Sequence, residues 1–209
     1  MNESAATGLD LEFPAPVWPQ PGDKLFVPGF GRKVAYLGGF GTDFSRYAIG
    51  YKDAADGLID RTFEMDCGAD LQFYPIAFLY RQYLELRLKQ LLISGGHVVY
   101  DESKLTHGHD LRRPWAEVRK ILEDVWPGTH AEEMDALGEC IEELCQLDAQ
   151  SMSFRYPVDK EGKPTLLGLD RVDLVNLKGV MDRISSFLDA SSDALGDILD
   201  NMPREEYYH

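Results

Sequence analysis

Three short stretches carry residue types that do chemistry. The first is YPIAFLYRQYLELRLKQLLI, residues 74 to 93, where Arg81, Glu85 and Lys89 recur at i, i+4 and i+8. On a helix they stack into one charged stripe. Such a stripe is either an enclosed polar site or a solvated ladder of ion pairs contributing about 0.2–0.5 kcal/mol per pair. The second stretch is His107-Gly108-His109-Asp110. Its side chains are of the types that bind zinc, and a zinc hydrolase built on His107 and His109 is one reading. Neither H-E-x-x-H nor C-x-x-C completes that site, so no metal and no cofactor is expected. His109, at a helix start, either hydrogen-bonds locally or serves as a general base or acid, because imidazole titrates near neutrality. The third stretch is Phe154-Arg155-Tyr156-Pro157. Here Arg155 either grips a phosphate or carboxylate in bidentate fashion or is an exposed turn residue. Other chemistries fail on spacing. There is no G-x-S-x-G, and the glycine-rich residues 29–41 match neither a P-loop nor a dinucleotide fingerprint. Cys67, Cys140 and Cys145 lack C-x-x-C spacing and read as inert core thiols in a reducing compartment.

The first stretch must be a helix of about 30 Å, at about 1.5 Å per residue. Ile76, Leu79, Tyr83 and Leu86 gather opposite Arg81, while Ala77, Leu84, Leu88 and Leu91 fill a flank. A helix apolar nearly all round is central and buried, so its charged stripe needs partners. It is expected to stop at Ile93-Ser94-Gly95-Gly96, where glycine caps the C-terminus. Helical periodicity also marks residues 43–64, 110–126 with Asp110 as N-cap, 130–148, and about 170–200 with a bend at Ser191-Ser192. Between the last two, Phe154–Val158 and Lys163–Leu167 pair as a small hairpin across Asp159–Gly162. Residues 1–28 hold five of the eleven prolines and read as an extended arm, followed by a short strand at Lys33–Leu37. The fold expected is mostly α. It is an up-and-down helical bundle of about five helices over residues 43–200, with a small β-hairpin insertion, an extended N-terminal arm over 1–42 and a loose tail over 201–209.

The bulk properties narrow the function. At 209 residues, 44% hydrophobic and 11% aromatic, the chain can bury a core and is not a disordered one. A net charge of −15 excludes a non-specific nucleic-acid binder, whose affinity rests on neutralising phosphates. Residues 81–120 nevertheless carry eight Lys and Arg against five acids, a locally basic region able to hold an anion. The start, MNESAATGLDLEF, has neither a basic nor an apolar leader region, and no run of 18 apolar residues occurs. The expected location is cytoplasmic, with no membrane contact.

Taken together, Tyr74-Pro-x-x-Phe78-Leu-Tyr-Arg81, Glu85-Leu-x-Leu-Lys89, His109-Asp110-Leu111 with Trp115, and Phe154-Arg155-Tyr156-Pro157 resemble HEPN-type helical domains of prokaryotes over about residues 44 to 190. The resemblance implies a helical bundle that dimerises. It also implies RNA or nucleotide recognition, often with metal-independent RNA cleavage, in toxin–antitoxin, abortive-infection and other phage-defence or stress systems. One departure stands out. The R-x(4–6)-H motif of the cleaving members is absent at Arg155, and its only literal match, Arg204 to His209, lies in the tail. Either His109 replaces the missing histidine in space, or cleavage has been lost. The expected catalytic set is His109, Arg155, Glu85 and Lys89, with Arg81 and Tyr156 binding ligand. The alternative is a non-catalytic interaction module, in which the stripe is a register-fixing salt-bridge network and the acidic surface and proline-rich arm bind a protein partner.

Overall fold

The structure is a computed structural model that describes residues 18–37, 44–66, 68–100 and 108–202. The chain divides into two units, Met1–Phe40 and Gly41–His209. Within the first unit, Val34 N–H donates to the Gly31 carbonyl at 3.3 Å and closes a turn. The strand expected at Lys33–Leu37 does not form, and residues 34–37 are irregular. A strand needs a partner for its ladder, and residues 18–37 supply none.

The second unit holds five helices: α1 (Phe44–Met65), α2 (Ala69–Tyr100), α3 (Arg112–Val125), α4 (Ala131–Asp148) and α5 (Leu174–Asn201). No strand occurs among the described residues. α2 is the axis of a helical bundle. Its Ile76, Leu88, Leu91 and Leu92 are wholly buried, as are Ala48, Ala55 and Ile59 of α1 and Leu188 and Leu195 of α5. Each buried leucine or isoleucine among them contributes about 1.5–3 kcal/mol relative to exposure. No helix among the described residues is long and apolar enough to cross a membrane.

The order of the helices departs from strict up-and-down alternation. α1 runs antiparallel to α2, because Asp56 meets Tyr80 and Ser45 meets Arg87. α5 runs in the same sense as α2, since Tyr83 meets Asp189 and Gln90 meets Ser192. α3 also ascends beside α2, with Gly95 against Ile121 and Tyr100 against Asp124. α4 returns antiparallel to α3, as Arg112–Glu142 and Arg119–Asp135 show. α2 and α3 are therefore the consecutive pair that runs in the same sense, while α4 and α5 alternate.

Several boundaries differ from the sequence expectation, and α3 begins at Arg112 after Leu111, not Asp110, as its cap residue. α2 does not stop at Gly95 but continues to Tyr100. A Cβ on Gly95 would lie 2.4 Å from Ile121 Cγ2, so this glycine lets α2 and α3 approach rather than capping a helix. α5 begins at Leu174, because the Asp173 carboxylate accepts from the N–H groups of Val175 and Asn176 at 2.8 and 3.1 Å. It also runs unbroken through Ser191 and Ser192. The expected hairpin is absent. Asp159 N–H meets the Lys163 carbonyl at 2.8 Å, yet only one antiparallel bridge forms, Val158 to Pro164. Pro164 has no N–H to return, so the ladder cannot propagate.

Candidate functional site

The stripe on α2 is enclosed. The Arg81 side chain is 0% exposed and that of Glu85 only 3%. Glu85 Oε2 accepts from Arg81 Nη1 at 3.1 Å, and Oε1 accepts from Lys89 Nζ at 2.7 Å. His109 Nδ1 lies 3.1 Å from Oε1 and 3.2 Å from Oε2. Helical spacing supplies the first two pairs, and the return of the chain before α3 supplies the third. Arg81 uses all its donor nitrogens. Its Nε donates to the Asp148 carbonyl at 3.1 Å and lies 3.4 Å from Asp148 Oδ2, and its Nη2 donates to the His109 carbonyl.

Asp148 is the far anchor of this network. It is 2% exposed, and its Oδ1 accepts from Met152 N–H at 2.6 Å and Ser153 N–H at 2.9 Å. That cap stabilises a turn in which Ser151 adopts a left-handed φ of 58°, a conformation unfavourable for a non-glycine residue. The same turn carries Arg155, whose Nε donates to the Ser151 carbonyl at 2.6 Å.

Charges inside the network set the state of Glu85. Burial alone pushes its carboxyl upward. The hydrogen bond and charge of Lys89, followed by the hydrogen bonds of His109 and Arg81, more than offset this, and its pKa falls below the ordinary 4.5. Glu85 is thus an anion at neutral pH, shared by Arg81, Lys89 and His109. The His109 side chain remains 56% exposed, and its Nε2 makes no hydrogen bond among the described residues. Glu85, an acceptor, favours the tautomer that carries its proton on Nδ1, which makes Nε2 the acceptor nitrogen of the neutral ring.

The structure brings Arg81, Glu85, Lys89 and His109 together, but not Arg155 and Tyr156. No hydrogen bond or ion pair joins Arg155 to Glu85, Lys89 or His109 among the described residues. Its guanidinium instead lies 5.7 Å from the Phe78 ring and 5.5 Å from that of Tyr156. Both Arg155 and Tyr156 line a cleft of about 890 Å³ between the start of α2 and residues 153–174. Asp148 connects the two places, touching Arg81 on one side and capping the Arg155 turn on the other.

His107 and Cys67 lie outside the described residues, among which no three His, Cys, Asp or Glu side chains gather as a metal site requires. Burial pushes the thiols of Cys140 and Cys145 upward, which keeps them protonated and poorly nucleophilic.

Sequence reasoning missed Asp148, although an acid in the last turn of a helix opposes the helix dipole and so flags a tertiary role. It also missed a second polar network on the other side of α2. There Lys52 bridges Asp56 and Asp182 at 2.7 Å each, and the Tyr80 hydroxyl donates to Asp56 at 2.6 Å. Burial and then Asp56 raise the Tyr80 pKa. Further along, Arg87 and the Tyr83 hydroxyl share Asp189. These pairs brace α1, α2 and α5 and leave no side chain poised for substrate. No family model, curated protein or solved structure matches the chain.

Proposed function

We propose that the chain is a HEPN-like cytoplasmic protein, acting as a homodimer, that recognises RNA and cleaves it without a metal in a defence or stress response. The observation that carries this reading is the Glu85–His109 pair: a buried carboxylate on Nδ1 of a largely exposed imidazole, with the Lys89 ammonium on the same carboxylate. The biological setting rests on the resemblance of the motifs alone.

In this mechanism His109 Nε2 takes the proton from a ribose 2′-OH. The 2′-oxygen attacks the adjacent phosphorus, the bond to the 5′-oxygen breaks, and a cyclic 2′,3′-phosphate and a 5′-hydroxyl result once that oxygen takes up a proton. Lys89 stabilises the charge growing on the phosphoryl oxygens. Glu85 orients His109 and stabilises the imidazolium. Arg81, wholly enclosed, positions Glu85 and does not touch substrate. Arg155 and Tyr156 hold the strand beside the scissile phosphate.

Incubating the purified protein and its His109→Ala variant with total RNA in EDTA tests the reading. Cleavage by the wild type that falls at least a hundredfold in the variant is expected, the size typical of a lost general base. RNA left intact by the wild type across pH 5–9 would sink it.

A second reading is favoured by the complete burial of Arg81. An internal ion network whose arginine has every nitrogen engaged is what a non-catalytic module uses to fix helix register. Intact RNA in the same experiment, with a protein partner retained on the immobilised chain, would support that reading.

A further inference from the structure

The cleft beside Arg155 has the build of a site for one nucleotide. Its 890 Å³ lies within the range of about 300–1,000 Å³ usual for small-molecule sites. Its apolar part is aromatic. Phe73 packs edge-on against both Tyr74 and Phe154, with centroids 5.6 and 5.9 Å apart, and this group forms a rigid wall. Tyr74 and Tyr156 also line the cleft and remain 49% and 48% exposed, which leaves ring surface uncovered. Exposed aromatic faces in a confined cleft suit a flat ring, and stacking on a base is their strongest use.

The polar part suits the rest of a nucleotide. Arg155 is held by its Nε on the Ser151 carbonyl and by the rings of Phe78 and Tyr156, so little of its freedom remains to be lost on binding. Its Nη2 touches only the Met152 sulfur, at 3.2 Å, and its Nη1 has no partner among the described residues. A guanidinium stacked and open in this way is arranged for a phosphate. Arg171, across the cleft, forms no ion pair among the described residues. Asp70 and Asp170 also line it, and carboxylates accept hydrogen bonds but cannot donate them. They favour a base edge rich in N–H groups, and two carboxylates against two guanidiniums disfavour a polyphosphate.

We propose that this cleft holds a single unstacked nucleotide, its base on the Tyr74 and Tyr156 rings, its phosphate on Arg155, and its base edge read by the carboxylates. Guanine, with adjacent N1–H and N2–H donors, fits best. Uracil, with one donor between two acceptors, fits worst. The inference rests on the reading that the chain handles RNA or nucleotide, and names what it selects.

Calorimetric titration of the full chain with GMP, UMP and the single-stranded tetranucleotides GGGG and UUUU tests it. Saturable GMP binding, at least fivefold tighter than UMP, is expected. Tyr156→Ala, a change at a half-exposed ring, weakens it roughly five- to hundredfold, the loss of one stacked base. Arg155→Ala weakens it similarly, and the thermal midpoint of both variants confirms that they fold. GGGG binding tenfold tighter than GMP identifies a strand as the ligand, and equal affinity identifies the free nucleotide. No saturable binding of GMP or GGGG at millimolar concentration overturns the proposal. So does binding within twofold of wild type in both variants, and UMP equal to GMP removes the role of the carboxylates. The RNA cleavage assay separates the two ideas. Intact RNA with Tyr156-dependent GMP binding sinks cleavage and keeps the cleft, whereas cleavage without such binding does the reverse.

Discussion

Glu85 is one buried carboxylate that serves three partners, Arg81, Lys89 and His109. Glu85→Ala takes from the buried Arg81 one of its two carboxylate partners, leaving Asp148 alone, and a loss of about 3–5 kcal/mol is expected from urea unfolding. Glu85→Gln keeps the shape and one acceptor, and should cost less. The pH dependence has a definite sign. The folded-state pKa of Glu85 is depressed, so its contribution is present above the ordinary 4.5 and disappears as pH falls through the lower folded value. Wild type should lose stability on acidification below about pH 4.5, and Glu85→Gln should show a shallower acid limb in the same titration. Much of this residue-scale picture was legible. The i, i+4, i+8 spacing on a helix apolar nearly all round already paired Arg81, Glu85 and Lys89 and made an enclosed polar site one of two readings. The identity of one partner was not legible: Asp148 is 67 residues from Arg81, and no local pattern joins them. Arg155 was grouped with His109 because the resemblance left Arg155 without its motif histidine and His109 was the candidate to replace it in space. The turn at Ser151 instead binds Arg155 to its own backbone and to the Phe78 and Tyr156 rings.

At the scale of elements, helical periodicity located all five helices, because each buries an apolar stripe that repeats every turn. The ends were harder, since a boundary depends on what the neighbouring element does. Gly95 shows this. Read locally it is a stop signal; in the fold it is the contact between α2 and α3. Gly95→Ala gains about 0.5–1 kcal/mol in helix propensity. It also forces a methyl group to 2.4 Å from Ile121 Cγ2, and overpacking of that kind costs about 1–3 kcal/mol. Net destabilisation of about 1 kcal/mol is expected in thermal or urea unfolding. Gly95→Ala should cost less in an Ile121→Ala background than in the wild type, because that change removes Cγ2, the atom the new methyl group meets.

For the whole molecule, the arrangement of the helices gathers exposed apolar side chains at one end. The Lys178–Asp60 pair places the start of α5 beside the end of α1, which in turn precedes the start of α2. Phe63, Met65, Leu71 and Val175 are all exposed on these neighbouring ends. This is the surface we assign to the proposed homodimer. Sedimentation velocity should give a dimer for the wild type and a monomer for Leu71→Asp/Val175→Asp. Raising the salt should tighten the dimer, because it screens the repulsion between two chains of net charge −15. A monomer at every concentration and salt would remove that assignment. The long reach from Arg81 to Asp148 has a consequence for synthesis. The 67 residues between them emerge over about 3–13 s at 5–20 residues per second, so α2 leaves the ribosome well before its guanidinium has its last acceptor. During that interval the helix at the centre of the finished bundle is a nascent segment with apolar faces uncovered, and chaperones have their opportunity to bind it before α4 arrives.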